Sequence, residues 1–202
     1  YDTVPGSPGA DDNASGIAVL LEVARNIQTV HVKGSIRFIA FSLEEYNFIG
    51  SAHYVRKFRK GEEEIIGMIS LEMVGFTGPK QNYPPYLNPK YYPNVGDFIA
   101  MIGNERSKEL LENVCRSFKT HTPQLPLESL VVPGNGEGME EVRLSDHSPF
   151  WDQGFPALMV TDTSFLRNQN YHLPSDTIET LDFEFMKKVA IGIYCSIVEL
   201  TK

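Results

Sequence analysis

Ser35-Ile36-Arg37-Phe38-Ile39-Ala40-Phe41-Ser42-Leu43-Glu44-Glu45 passes from a nearly unbroken apolar stretch, rich in aromatic and β-branched residues, straight into two carboxylates. Such side chains suit a pleated surface, and an unbroken apolar run suits a strand covered on both faces. The stretch predicts a central strand over 35–43 that ends on an acidic pair. A second apolar run, 65–71, repeats the design and closes on Glu72. Between and beyond these runs, strand and helix patterns alternate. Ile17, Leu20, Leu21, Ala24 and Ile27 recur at helical spacing and predict a helix over 15–29. Further helices are expected over 51–60, 107–118, 148–153 and 182–200, and strands over 97–102, 127–132 and 155–161. Alternation of this kind predicts an α/β protein with a largely parallel sheet.

In open α/β sheets ligands gather beyond the carboxyl ends of the strands. Acidic residues fall at those ends: Glu44 and Glu45 after one run, Glu72 after the next, and a 162–177 loop carrying His172 and Asp176 after the last. Adjacent residues leaving a strand point in different directions. One carboxylate of the Glu44-Glu45 pair can therefore bind a metal while the other carries a proton, or both can be a solvated pair at a strand end. Glu72 either lies at the rim or meets a cation, because an unpaired acid inside a core is costly. His172 is read as a metal ligand or a surface residue, with Tyr171 beside it able to hydrogen-bond an oxyanion.

The opening segment adds a third acidic junction, Gly9-Ala10-Asp11-Asp12-Asn13-Ala14-Ser15-Gly16. Asp, Asn and Ser cap helices by accepting from free backbone N–H groups. Oxygen ligands on closely approaching backbone also hold cations. Both readings stand at this point. His147, in Ser145-Asp146-His147-Ser148, could also ligate, but Ser145 and Asp146 fit a helix cap at least as well, so the segment is read as structural or as support behind the ligands; His31, His53 and His121 are read as inert.

The net charge of −8 and an isoelectric point near 5.1 argue against a nucleic-acid binder, which needs a basic face. No apolar run reaches the length of a membrane span. Cys115 and Cys195 form no disulfide framework. The loop over 76–94, with five prolines and four tyrosines, has no periodicity and is expected to serve function. Gly134-Asn135-Gly136-Glu137-Gly138 lacks the Rossmann and Walker spacings, and no Gly-x-Ser-x-Gly elbow is present.

Taken in order, Asp2, Gly9 to Gly16, Glu44-Glu45, Gly50-Ser51, Leu71-Glu72-Met73, Ser145-Asp146-His147, Tyr171-His172 and Asp176-Thr177 resemble the co-catalytic zinc aminopeptidases. That family includes secreted bacterial leucyl aminopeptidases and is related to the glutaminyl cyclases. The resemblance implies a three-layer α/β/α sandwich with a mixed, largely parallel central sheet, forming one catalytic domain over 1–202. It implies that Asp12 bridges two zincs ahead of a cis peptide to Asn13, and that Glu45 and His172 bind one zinc. Glu72, where many members have Asp, binds the other. It further implies that Glu44 is the general base, that Tyr171 contacts substrate and that Asp2 orients a histidine ligand. The family motif opens His-x-Asp and this sequence starts at the x. The resemblance therefore places that histidine and the first strands ahead of Tyr1, leaving one complete site (Asp12, Glu45, His172) and one partial site.

The implied activity is hydrolysis of N-terminal peptide bonds, with Glu72 holding the substrate amine. Tyr83, Tyr86, Phe165 and Leu166 would shape an apolar side-chain pocket. The implied setting is secreted or cell-envelope, and the oligomeric state stays open. Two rivals share the fold: a glutaminyl cyclase, whose branch carries Trp where Tyr171 stands, and a non-catalytic binding protein.

Overall fold

The computed structural model describes residues 2–58 and 64–202. Four strands form its sheet: β1 (Met68–Glu72), β2 (Ile99–Asn104), β3 (Leu127–Val132) and β4 (Ala157–Thr161), in the order β1-β4-β2-β3. β1 runs parallel to β4, and β2 parallel to β3, while β2 and β4 meet antiparallel. The sheet is therefore mixed, as expected.

Side chains alternate across the two faces. Ile99, Met101, Leu158 and Val160 point to a core closed by three helices, α1 (Gly16–Ile27), α3 (Lys108–His121) and α5 (Phe183–Leu200). Each helix turns an apolar stripe inward at helical spacing: Val19 and Val23; Leu110, Leu111, Val114 and Phe118; Phe185, Val189 and Ile193. Asp182 caps α5 by accepting from the Phe185 N–H at 2.9 Å. Ala100, Ile102, Val132 and Met159 face the other way, toward α2 (Ile49–Val55) and α4 (Ser148–Asp152), whose Val55, Phe150 and Trp151 are buried there. The result is three layers.

Element order follows the sequence, with boundaries displaced by a few residues. The 65–71 run enters the ladder only at Met68, the 97–102 run at Ile99, and the expected 51–60 helix runs only over Ile49–Val55. Residues 59 and 60 of that expected helix lie outside the described residues.

The 35–43 run is the main correction. It pairs with no described strand, and none of its residues is buried. A ladder needs a neighbour within hydrogen-bonding distance. Here a cleft of about 300 Å³ separates Ile36, Phe38 and Ile39 from Gly67, Ile69 and Leu71 of the β1 side. Its aromatic residues still find apolar contact, Phe38 against one core and Phe41 against the other. The expectation of a central strand covered on both faces fails on both counts, pairing and burial. No helix among the described residues is long and apolar enough to cross a membrane.

Candidate metal centre

The segment Ala10–Ser15 is a wound turn interrupted at Asp12 and Asn13, whose backbone leaves the helical region (φ −103°, ψ 87° and φ −133°, ψ 41°). The Asp12–Asn13 peptide is cis. The acidic junction divides its labour residue by residue. Asp11 is buried, accepting from the Gly75 N–H at 2.9 Å and the Asn168 side-chain amide at 2.7 Å. Asn13 accepts from the Gly16 N–H at 3.2 Å and the Met73 N–H at 3.1 Å, and its amide donates to the Leu71 carbonyl at 2.8 Å. Asn13 thus caps α1 and pins it to the end of β1. Ser15 does not cap: its hydroxyl donates to the Asp11 carbonyl and accepts from the Val74 N–H. Gly16 is required by close approach, since a Cβ there would lie 2.5 Å from the Leu71 carbonyl oxygen.

This packing leaves the Asp12 carboxylate facing the cleft. His172 Nε2 lies 3.1 Å from Asp12 Oδ2 and 3.3 Å from Glu45 Oε2. One ligand atom from each of Asp12, Glu45 and His172 falls within 4.8 Å of the others. The distances suit ion pairs, but the angles form no hydrogen bond: Asp12 Oδ2, Glu45 Oε1 and His172 Nε2 are buried without a partner. Buried polar atoms are normally satisfied. Three residues that converge and each carry an unsatisfied atom, two carboxylates and an imidazole, make the mixed O/N donor set that zinc accepts. These residues fit the ion.

Electrostatics point the same way. Burial first, then the charges of Glu45, Asp176, Asp11 and Asp2, raises the Asp12 carboxyl to about 7. Burial, then Asp146, Glu45, Asp12 and Asp2, raises Glu44 to about 8. Glu72, which is buried, is raised well above the carboxylate range by burial and then by Glu44 and Asp12. Carboxyls pushed up together hold protons where a cation would otherwise sit.

Other expected residues take distinct places. Glu72 stands outside the converging set, and its Oε2 accepts from the Ser145 hydroxyl at 2.7 Å. Asp2 Oδ1 accepts from the Glu44 N–H at 2.9 Å, so its observed role is to hold the backbone of the Glu44-Glu45 pair. The Tyr171 ring stacks on the His172 imidazole with centroids 3.7 Å apart. Burial, followed by Asp12 and the three glutamates, pushes the Tyr171 phenol up. His147 is buried edge-on against Trp151, bonds the Val142 carbonyl and is pushed down to about 3 by burial, so it is neutral and structural.

Asp12, Glu44, Glu45, Glu72, Tyr171 and His172 line a cavity of about 300 Å³. Tyr83, Tyr86, Phe165 and Leu166 line it as the loops led us to expect. Sequence reading missed the support behind it. Arg167 is buried, donates to Gln81 at 2.8 Å and to the Phe98 carbonyl at 2.9 Å, and stands near the buried acids Asp162 and Asp11. Its only signal was a lone cation in the loop that carries His172.

A mixed α/β sheet that gathers two carboxylates and an imidazole at one end, with further acids beside them, defines a candidate metal centre of the hydrolase type. Residues 1–195 match Peptidase family M28, and the chain belongs to that family. It is 36% identical over 200 residues to YfbL of Escherichia coli (strain K12), covering 95% of this chain and 60% of that protein. It is 30% identical to the aminopeptidase YwaD of Bacillus subtilis (strain 168), over 100% of this chain and 40% of YwaD. The crystal structure of BSAP, a zinc aminopeptidase from Bacillus subtilis, superposes with a TM-score of 0.72 at 28% identity, covering 100% of this chain and 45% of that one. The chain thus spans roughly half the length of the relatives it matches.

Proposed function

We propose that this chain carries the catalytic centre of a zinc-dependent aminopeptidase. The observation that supports this most is the convergence of unsatisfied Asp12, Glu45 and His172 atoms beside Glu44 in an open cleft. Zinc held by those three residues would supply Lewis acidity toward a scissile carbonyl and toward water.

The chain's own groups then divide the work. Burial and then the neighbouring carboxylates raise Glu44 to about 8, so it holds a proton near neutrality. Once positive charge offsets those neighbours it is ionised, and it accepts a proton from the attacking water and passes it to the leaving amine. Tyr171, kept protonated by burial and surrounding acids, donates its O–H to the oxyanion that develops on the carbonyl. Glu72 accepts N–H bonds from the substrate's free amine, which restricts cleavage to the terminal bond. Asp2 holds the Glu44 backbone and thereby fixes the direction of the base.

Turnover of aminoacyl nitroanilides by the metal-loaded protein tests the reading, with Glu44→Gln as the diagnostic variant. Rates are expected to fall by about 10²–10⁴-fold while zinc content is unchanged. An unaffected rate would sink the mechanism. Release of ammonia from an N-terminal glutaminyl peptide, in place of peptide-bond cleavage, would point to the cyclase chemistry instead.

A further inference from the structure

The strand register carries one side chain of the cavity that the reaction does not use. Glu72 pairs with Thr161, Thr161 with Ala100, and Ala100 with Glu128, so the four form a single rung across the sheet. Directly paired residues project from the same face, and all four line the cavity. The next rung, Ser70-Met159-Ile102-Leu130, contributes Met159, Ile102 and Leu130 to the same floor. The cavity is therefore a trough with a carboxylate at each end and apolar residues between. Three strand spacings set the Cα atoms of Glu72 and Glu128 about 14 Å apart.

From this geometry we propose that Glu128 makes the pocket select substrates whose N-terminal residue is a long cationic side chain, arginine or lysine. The proposal rests on the aminopeptidase reading and specifies its substrate class. An arginine side chain reaches about 7 Å from its Cα. With its carbonyl at the Glu44 end, its aliphatic stem lies over Ile102 and Met159 and its guanidinium meets Glu128. Burial raises the Glu128 carboxyl, and only Lys119 opposes that shift. Lys119 is exposed on α3, which packs against the other face of the sheet. Glu141 also lines the cavity, and it already accepts the Tyr86 hydroxyl at 3.0 Å. No lysine or arginine lines the cavity among the described residues.

Calorimetric binding of argininamide and norleucinamide to the zinc-loaded chain tests this without requiring turnover. Argininamide is expected to bind at least tenfold more tightly, and Glu128→Gln to reduce that ratio at least fivefold. Glu141→Gln is expected to change it less than twofold. Equal affinities, or a preference that survives Glu128→Gln, would overturn the proposal. A preference that depends on Glu128 in a protein that cleaves no peptide would instead overturn the aminopeptidase reading.

Discussion

The two carboxylate oxygens of Asp176 accept the backbone N–H groups of Asp11 and Asp12, at 3.0 and 3.1 Å. The side chain of one loop thus sets the direction in which the Asp12 carboxylate leaves the chain. Asp176→Asn replaces one acceptor with a donor facing an N–H group. An unsatisfied buried group of this kind costs about 1–3 kcal/mol. Urea denaturation of the chelated protein should register that loss. Zinc affinity should fall by about 10–100-fold, the usual effect of losing a group that orients a ligand. A variant with wild-type affinity would show that Asp12 is held by other contacts.

His172 sits at φ 60°, in the left-handed region. His172→Asn suits that backbone, because Asn tolerates it better than other non-glycine residues. The variant should fold with near-native stability in chelator yet bind zinc at least about 100-fold more weakly, through loss of one of only three donors. Metal content after dialysis is the readout. Undiminished zinc would remove His172 from the ligand set.

Stability of the metal-free protein should fall as pH rises. Asp12 and Glu44 keep their protons in the fold up to about 7 and about 8, against 3.8 and 4.5 in the open chain. The folded state therefore binds more protons than the unfolded one between about pH 4 and 8. The stability they contribute is complete below about pH 4 and lost by about pH 8, on the order of 4 kcal/mol for each group taken alone. With zinc saturating, the trend should reverse, because ligation requires the ionised acids. Melting temperatures at pH 5 and pH 8, with and without chelator, decide the matter. A chelated protein more stable at pH 8 would contradict the account.

Gly16→Ala should damage both the fold and the site. Its Cβ would meet the Leu71 carbonyl and Asn13 Oδ1, each at 2.5 Å. Neither can retreat without breaking the cap or the end of β1. Overpacking of this kind costs about 1–3 kcal/mol, and circular dichroism melts should show it. Gly6→Ala, where nothing lies within 4 Å, tests backbone strain alone at a φ of 95°.

Legibility in the sequence followed the range of the interactions. α1 and α5 declared themselves through local periodicity, and β3 was placed residue for residue, because each pattern is complete within its own segment. The 35–43 run misled because pairing depends on what lies alongside, and apolar character alone does not specify a neighbour. Asp12, Glu44, Glu45 and His172 were legible as chemistry-bearing residues at turns. Their roles came from resemblance to a family, not from spacing. Glu128 was invisible: on an edge strand it reads as a solvated acid until the register aligns it with Glu72. Arg167 was missed for the same reason, since its partners Gln81 and Phe98 belong to a segment far away in sequence.

The donors of the metal centre come from three remote parts of the chain, and the Asp12–Asp176 bond behind them spans 164 positions. An ion gripped by Asp12 and His172 would act as a reversible crosslink closing the long segment between them into a loop. Loop-closure entropy grows only slowly with length, so such a clasp opposes unfolding almost regardless of what lies between. Native contacts of such long range form late, after the strands between them have assembled. Nascent or damaged chains would then lack the clasp, and possession of the metal would mark a molecule that has finished folding.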